Sequence, residues 1–169
     1  YSRIYDLPTV VFRQSCIYGP NQFGMEEQGW VAHFIISSVL RRSITIYGNG
    51  KQVRDILYVE DLCEAFEKAV LNIDKTAGQI YNIGGGPENQ MSLLELIDLL
   101  ERLRGHKIRY SLDKWRPGDQ YVFVCDISKA REDFDWHPWV DKESGVKKVH
   151  QWVESNHELF IDFYAALDK

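Results

Sequence analysis

Arg54 has a side chain suited to binding a phosphorylated ligand. It lies in the apolar run Val53–Tyr58, where a half-buried guanidinium must be paired. One candidate partner is a carboxylate close in sequence, Asp55 or Asp61. The other is a phosphate group, whose oxygens a guanidinium binds in a bidentate manner. The residue types therefore indicate either a structural ion pair or an anion clamp.

A second arginine lies in the turn Arg116-Pro117-Gly118-Asp119, three residues before a carboxylate. A salt bridge within the turn is one interpretation. The other joins Arg116 to Arg54 on a diphosphate, with Asp119 accepting a hydrogen bond from a ribose hydroxyl. Tyr47 ends a short apolar run beside a glycine turn, where its ring either stacks on a base or packs in the core.

Polar residues directly follow a buried strand at Gln14-Ser15-Cys16. Ligands of open α/β sheets bind at the carboxyl ends of the strands. We therefore expect this segment to face a ligand.

Other catalytic and metal-binding patterns are absent or incomplete. Gly84, Gly86 and Asn89 fall on the GxGxxG grid, but the third position is not glycine, so a plain strand-to-loop turn is favoured. There is no GxSxG motif. The three cysteines form no CxxC pair, which argues against zinc and disulfides and predicts a reducing compartment. We expect no metal site.

Composition and charge fit one globular domain. The chain has 169 residues, 44% of them hydrophobic, and 20 basic against 25 acidic side chains give a net charge of −5. An acidic chain is not typical of a nucleic-acid partner. No apolar run approaches the ~18 residues of a membrane span, and the first residues show no signal-peptide pattern. We expect a cytoplasmic protein without a membrane partner.

Strand and helix patterns alternate, which predicts an α/β chain. We expect parallel strands at Pro8–Arg13 and Gln79–Ile83, and a long loop from Gln14 to Gly29. The turn Gly48-Asn49-Gly50 is typical of a hairpin, and Ser92 with Glu95 forms a capping box. Further predicted strands are Ile44–Tyr47, Val53–Tyr58, Lys107–Ser111 and Tyr121–Cys125. Predicted helices cover Trp30–Arg42, Glu60–Leu71, Leu93–Leu103, Ser128–Asp135 and Gly145–Leu167, the last interrupted near Ser155.

Ordered motifs run along nearly the whole chain. Together they resemble the C-terminal half of the extended short-chain dehydrogenase/reductase family that acts on nucleotide-diphosphate sugars. In chain order they are Phe12-Arg13, Tyr18-Gly19-Pro20, Tyr47-Gly48-x-Gly50, Arg54-Asp55 with Val59 and Asp61, Tyr81-Asn82-Ile83-Gly84-Gly85, Arg116-Pro117-Gly118-Asp119, Asp126 with Lys129, and Trp136 with Pro138.

Two segments resemble the CDP-sugar 2-epimerase branch, which acts on CDP-paratose and CDP-tyvelose. They are Gln28-Gly29-Trp30-Val31 and the run from Gly48 to Asp55. The dTDP-glucose dehydratases and UDP-galactose 4-epimerases share the broader pattern and are the alternatives. This resemblance implies a nucleotide-diphosphate sugar as ligand, most specifically a CDP-linked one.

The resemblance also implies roles for individual residues. The implied cofactor-binding residues, near the nicotinamide of NAD, are Gln14, Ser15, Cys16 and Tyr18. The implied substrate-binding residues are Gln28 and Gly29 for the pyrophosphate or sugar, Thr45 and Tyr47 for the base, Arg54 and Arg116 for the diphosphate, and Asp119 for the ribose.

The family's Gly-rich NAD motif and its catalytic Tyr-x-x-x-Lys would lie upstream of Tyr1. We therefore expect residues 1–169 to be the substrate-binding half, holding no catalytic residue, lacking both motifs and most of the NAD site, and inactive alone. The fold expected is the C-terminal portion of a Rossmann-like enzyme. It would combine part of the parallel sheet with a smaller substrate-binding lobe, formed by Gly29–Leu57 and most of the chain after Gly86.

For the parent enzyme, a homo-oligomer by the same resemblance, the implied reaction is transient oxidation. A Tyr phenolate takes a hydroxyl proton while hydride passes to NAD. The keto sugar turns over, and hydride returns to its opposite face. Two alternatives are a nucleotide-sugar binding module without chemistry and an interaction protein that uses Gly145–Leu167 as a partner helix. Packing of that helix on its own lobe is the competing explanation.

Overall fold

A computed structural model describes residues 1–167, and its mixed strands and helices confirm the α/β class. The strands are β1 (Val11–Gln14), β2 (Cys16–Tyr18), β3 (Ile44–Tyr47), β4 (Val53–Tyr58), β5 (Ile80–Ile83), β6 (Gln90–Ser92), β7 (Tyr110–Asp113) and β8 (Val122–Phe123). The α-helices are α1 (Ser2–Tyr5), α2 (Trp30–Val39), α3 (Val59–Leu71), α4 (Ile73–Thr76), α5 (Leu93–Arg104), α6 (Ser128–Phe134), α7 (Lys142–Ser155) and α8 (His157–Leu167).

The two strands predicted to be parallel do pair with each other. β1 and β5 run parallel, with Val11 opposite Ile80 and Gln14 opposite Ile83. Their carboxyl ends therefore meet at one edge, where the polar segment after β1 begins. Val11 and Ile80 are about half exposed, at 50% and 49%, so this end of the strand pair is open to solvent.

The prediction of one long loop from Gln14 to Gly29 is wrong for the first residues of that range. Residues 16–18 form β2, which pairs in parallel with β4 and places Cys16 opposite Ile56. This strand of three residues draws its hydrogen bonds from a segment 40 positions away. The local sequence therefore gives little indication that a strand forms there.

The expected hairpin at Gly48-Asn49-Gly50 is also wrong. β3 pairs in parallel with β7, whereas β4 pairs with β2, β6 and β8. Hydrogen bonds to other segments fix the turn: Gly48 donates its N–H to the Asp113 carbonyl, and the Gly50 carbonyl accepts from the Leu94 N–H. The two strands consequently leave the turn into different sheets.

Strand β4 lies between two apolar clusters and contributes side chains to both. Successive side chains of a strand point to opposite faces. Ile56 and Tyr58 face the larger cluster, and Leu57 faces the smaller one. The larger cluster is built mainly from α2, β3, α5, α7 and α8. The smaller one contains Leu57, Leu62, Ala65, Tyr81, Ile83, Cys125, Ile127, Ala130, Phe134 and Trp136.

The second half of the chain is divided between these clusters. α7 and α8 pack into the larger cluster through Val146, Val149 and Phe160, so the C-terminal helices cover their own core. They are interrupted at Asn156, as predicted. α6 instead belongs to the smaller cluster, beside β1 and β5. Helix α6 therefore packs apart from helices α5, α7 and α8, which also follow Gly86.

Helix α5 begins with the predicted capping box. The Ser92 hydroxyl accepts from the backbone N–H of Glu95, and the Glu95 carboxylate accepts from the backbone N–H of Ser92. These two bonds satisfy donors that the first helical turn leaves unpaired. They also lower the pKa of the Glu95 carboxyl. The helix start next to β4 is thereby fixed.

Acid is expected to destabilise the fold through His33. This side chain is 8% exposed, and its Nδ1 lies 3.0 Å from the Tyr164 hydroxyl, which donates to the Gly24 carbonyl. Burial lowers the pKa of His33, against the opposing effect of Glu26 and Glu27. A histidine with a lowered folded-state pKa stabilises the fold fully above its unfolded pKa and loses that contribution as pH falls through the folded value.

We expect the unfolding free energy to decrease from pH 7.5 to pH 5, and His33→Gln to make this decrease smaller. Urea unfolding of both proteins at the two pH values measures it. His150 is buried with a lowered pKa and contributes with the same sign, so His33→Gln removes only part of the dependence. Equal pH dependence in the two proteins would contradict the assignment to His33.

Candidate functional site

A cleft of about 400 Å³ lies between α2, the ends of β3 and β4, and the turn before β8. All seven residues predicted to bind substrate line it: Gln28, Gly29, Thr45, Tyr47, Arg54, Arg116 and Asp119. Segments as far apart in the chain as Glu26 and Asp119 contribute to this cleft. Its other lining residues are Glu26, Glu27, Trp30, Phe34, Gln52, Leu93, Pro117 and Gly118.

The partner of Arg54 is Asp119. Its Nη2 lies 2.5 Å from Asp119 Oδ1, and its Nη1 donates to the Val53 carbonyl at 2.8 Å. The expected structural partners, Asp55 and Asp61, do not form this ion pair. Both side chains are partly exposed, at 18% and 28%, so the guanidinium is oriented and still open to the cleft.

The turn from Arg116 to Asp119 has the features of a type II turn. The Asp119 N–H donates to the Arg116 carbonyl, Pro117 occupies the second position, and Gly118 has a φ of 80°. Such a turn requires a positive φ at its third position, which glycine adopts without strain. It presents Arg116 and Asp119 to the same cleft without pairing them. Of the two interpretations of this turn, the salt bridge between Arg116 and Asp119 is therefore wrong.

The turn is anchored to the end of β3 by Trp115. The indole Nε1 donates to the Asp119 carbonyl at 3.1 Å, and the ring packs against Gly48. A Cβ at Gly48 would lie 2.2 Å from the Trp115 ring, so a side chain there would displace the indole. Glycine at this position thus sets the distance between β3 and the turn.

Arg116, Glu26 and Tyr47 form a second charged group in the cleft. The Arg116 guanidinium lies over the Tyr47 ring, 3.9 Å from its centroid, and 3.7 Å from Glu26 Oε1. The Tyr47 hydroxyl donates to the Glu26 carboxylate, which raises the pKa of the phenol and keeps it protonated near neutral pH. One face of the Tyr47 ring is therefore covered by a cation.

The four predicted cofactor residues lie outside this cleft. Gln14 is exposed at the carboxyl end of β1. The Ser15 hydroxyl donates to the buried Asp55 carboxylate at 2.5 Å. The Cys16 thiol accepts from Trp30 Nε1 at 3.0 Å, and burial raises its pKa to about 11. Tyr18 is 1% exposed and packs edge-on against Tyr58, so it shapes the segment from within the core.

Two lining residues with strong contacts were missed from the sequence. Glu26 lies two residues before Gln28, in a bridge that joins Met25 to Gln28. Gln52 lies two residues before Arg54, and alternation along an extended chain places both on one side. Proximity to the predicted residues was the available signal. The contacts of Glu26 with Arg116 and Tyr47 depend on tertiary structure.

The expectation that the Tyr-x-x-x-Lys spacing is absent is wrong. It occurs at Tyr47 with Lys51 and at Tyr110 with Lys114. Residues four apart lie side by side on a helix but about 13 Å apart along a strand. Tyr47 ends β3 and Tyr110 begins β7, so neither tyrosine has its lysine on a shared helix face.

Residues 1–167 contain no group of three or more metal-ligating side chains arranged to hold an ion. Within the same range, no helix combines the length and the apolarity needed to cross a bilayer.

Comparison with known proteins places this architecture in one structural class. A UDP-glucose 4-epimerase from Thermotoga maritima, solved with UDP-glucose, superposes with a TM-score of 0.82 at 30% identity, covering 92% of this chain and 49% of that one. A UDP-glucuronic acid 4-epimerase from Bacillus cereus, in complex with UDP-glucuronic acid and NAD, gives 0.82 at 28% identity, with 92% and 48% coverage. The fold is part of a Rossmann-like extended short-chain dehydrogenase.

The sequence comparisons name the family. Residues 1–84 match the profile of the NAD dependent epimerase/dehydratase family. The chain is 43% identical over 160 residues to a CDP-paratose 2-epimerase of Salmonella typhi, covering 92% of this chain and 47% of that protein. It is 32% identical over 172 residues to a dTDP-glucose 4,6-dehydratase of Escherichia coli, with 94% and 45% coverage. The chain belongs to the NAD dependent epimerase/dehydratase family, and it spans about half the length of these relatives.

Proposed function

We propose that this chain is the substrate-binding part of an NAD-dependent nucleotide-diphosphate-sugar epimerase, and that the sugar is CDP-linked and epimerised at carbon 2. The observation that carries the proposal is the convergence of Arg54, Arg116 and Asp119 on one cleft with Tyr47. Identity of 43% to a CDP-paratose 2-epimerase supports the CDP linkage and the 2-epimerase reaction.

In this proposal the two arginines hold the diphosphate. Arg54 is pre-oriented by Asp119, and Arg116 is held over the Tyr47 ring. A guanidinium fixed by the protein loses little entropy when an anion binds. Binding energy at the diphosphate is remote from the reacting carbon and positions that carbon for reaction. The sugar is then free to turn while the nucleotide stays bound.

The segment Gln14-Ser15-Cys16 fits the nicotinamide side of such a site. Gln14 presents an exposed amide, and the raised pKa of Cys16 keeps its thiol neutral beside a reactive ring. Ser15 donates to Asp55, so it can only accept a hydrogen bond from a ligand. NAD, when bound, supplies reversible hydride acceptance. The general base and most of the NAD site belong, in this proposal, to the half of the relatives that the chain does not span.

A second reaction remains an alternative within the same family. The dTDP-glucose 4,6-dehydratase of Escherichia coli is 32% identical over 94% of the chain. A 4,6-dehydratase or 4-epimerase would use the same diphosphate clamp, and a binding module would use it without chemistry. The nucleotide that binds distinguishes the CDP-linked reading from the dTDP- and UDP-linked ones.

We expect CDP to stabilise this chain against heat more than UDP or dTDP, and NAD to have little effect. A ligand at 100 times its Kd stabilises a protein by about 2.7 kcal/mol. Thermal unfolding with each compound at equal concentration measures the shift, and CMP tests the need for the second phosphate. A shift with NAD alone, or with none of the nucleotides, would contradict the proposed site.

A further inference from the structure

The amide oxygen of Gln52 is a buried acceptor in the wall of the cleft. Gln52 is 4% exposed, and its Nε2 donates to the Tyr47 carbonyl at 2.7 Å. That bond fixes the orientation of the amide, because a carbonyl oxygen can only accept. The opposite atom, Oε1, is buried and has no hydrogen-bond partner among the described residues.

Other buried polar atoms without partners occur in residues 1–167, but Gln52 is the member of that group that lines the cleft. Buried polar groups are normally satisfied, and an unpaired one is costly. An unpaired acceptor in the lining of a binding cleft is therefore available to a group from outside the chain. For Gln52 that group must be a hydrogen-bond donor.

The surroundings of Gln52 also favour a donor. Glu26 lines the same cleft, where its carboxylate accepts from the Tyr47 hydroxyl and lies 3.7 Å from Arg116. Glu27 adds a further carboxylate to the cleft lining. The two arginines, Arg54 and Arg116, are the cations of the lining and are assigned above to the diphosphate.

We propose that Gln52 Oε1 accepts a hydrogen bond from the 4-amino group of a cytosine base, and that Glu26 disfavours a carbonyl at that position. Cytosine carries an amino donor at carbon 4, where uracil and thymine carry an oxygen acceptor. A carboxylate beside that edge attracts an amino group and repels a carbonyl oxygen. This inference rests on the proposed function and names the residues that select its base.

The test is the ratio of Kd for UDP to Kd for CDP, measured by titration calorimetry. We expect CDP to bind about 10-fold more tightly than UDP to the unaltered chain. Gln52→Leu should bring the ratio close to one, and Glu26→Gln should lower it partly. A general loss of order would weaken both nucleotides together and leave the ratio unchanged. Gln90→Leu, an exposed glutamine outside the cleft, should keep the ratio.

A ligand-side measurement avoids any folding defect of the variants. CDP methylated twice on its 4-amino nitrogen has no donor there and should bind the unaltered chain no better than UDP. A ratio that survives Gln52→Leu would overturn this inference and leave the proposed function intact. Equal Kd values for CDP and UDP would overturn this inference together with the proposed CDP linkage, and would leave the diphosphate site intact. Binding of neither nucleotide would overturn both.

Discussion

Replacing Arg54 with alanine is expected to weaken binding of a nucleoside diphosphate about 100-fold. A hydrogen bond to a charged group contributes about 1.5–3 kcal/mol, and each 1.4 kcal/mol is a factor of ten in affinity. The substitution also leaves Asp119 without the cation 2.5 Å away, so its carboxylate would repel the incoming phosphates. Titration calorimetry with CDP at low salt measures the change.

Arg102→Ala is the matched control for this experiment. It removes the same charge from an exposed pair, in which Arg102 lies 3.5 Å from Glu143, outside the cleft. We expect its affinity for CDP to stay within about twofold, because exposed pairs contribute little and distant charges are screened. Arg54→Lys should be intermediate, since an ammonium cannot form the bidentate contact. Similar losses in Arg54→Ala and Arg102→Ala would indicate an effect of net charge alone.

Trp136→Ala is expected to produce the largest loss of stability, about 3–5 kcal/mol. The indole is 0% exposed in the smaller cluster, and its Nε1 donates to the Asp61 carbonyl at 2.9 Å. The change opens a cavity and removes the hydrogen bond between the indole and the Asp61 carbonyl, two effects that add. Urea unfolding followed by circular dichroism measures the free energy of unfolding.

The chain provides its own control three residues later. Trp139 is 66% exposed, and its Nε1 lies 3.3 Å from the Glu64 carboxylate. Trp139→Ala deletes the same side chain at the surface and should cost about 0.5 kcal/mol or less. Comparable losses at the two positions would show that burial in the smaller cluster does not govern the effect.

Local patterns were sufficient for much of the fold. The existence of strands β1 and β5, the capping box at Ser92 and the break at Asn156 follow from residue types and spacing that act over a few positions. β2 and the β3–β7 pair were missed because their hydrogen bonds come from distant strands. The sequence of the turn at Gly48-Asn49-Gly50 is typical of hairpins, and it does not show that the Trp115 ring packs on Gly48 or that Leu94 donates to Gly50.

The candidate site shows the same difference between what local residue patterns predict and what contacts between distant segments decide. The resemblance supplied seven residues that the structure brings to one cleft. It did not supply their contacts: the carboxylates considered as partners of Arg54 were Asp55 and Asp61, and the observed one is 65 residues away. Glu26 and Gln52 were missed because each acquires its role through contacts with Tyr47. Pairings of this kind depend on the closed fold.

Because β4 contributes side chains to both apolar clusters, it links the unfolding of one cluster to that of the other. Ile56 and Leu57 are adjacent in the chain and fully buried, one in each cluster. Loss of this strand from either cluster exposes an apolar face of the other. The two cores should therefore melt as one unit. The guanidinium of Arg54, on the same strand, then retains its alignment for as long as the chain is folded.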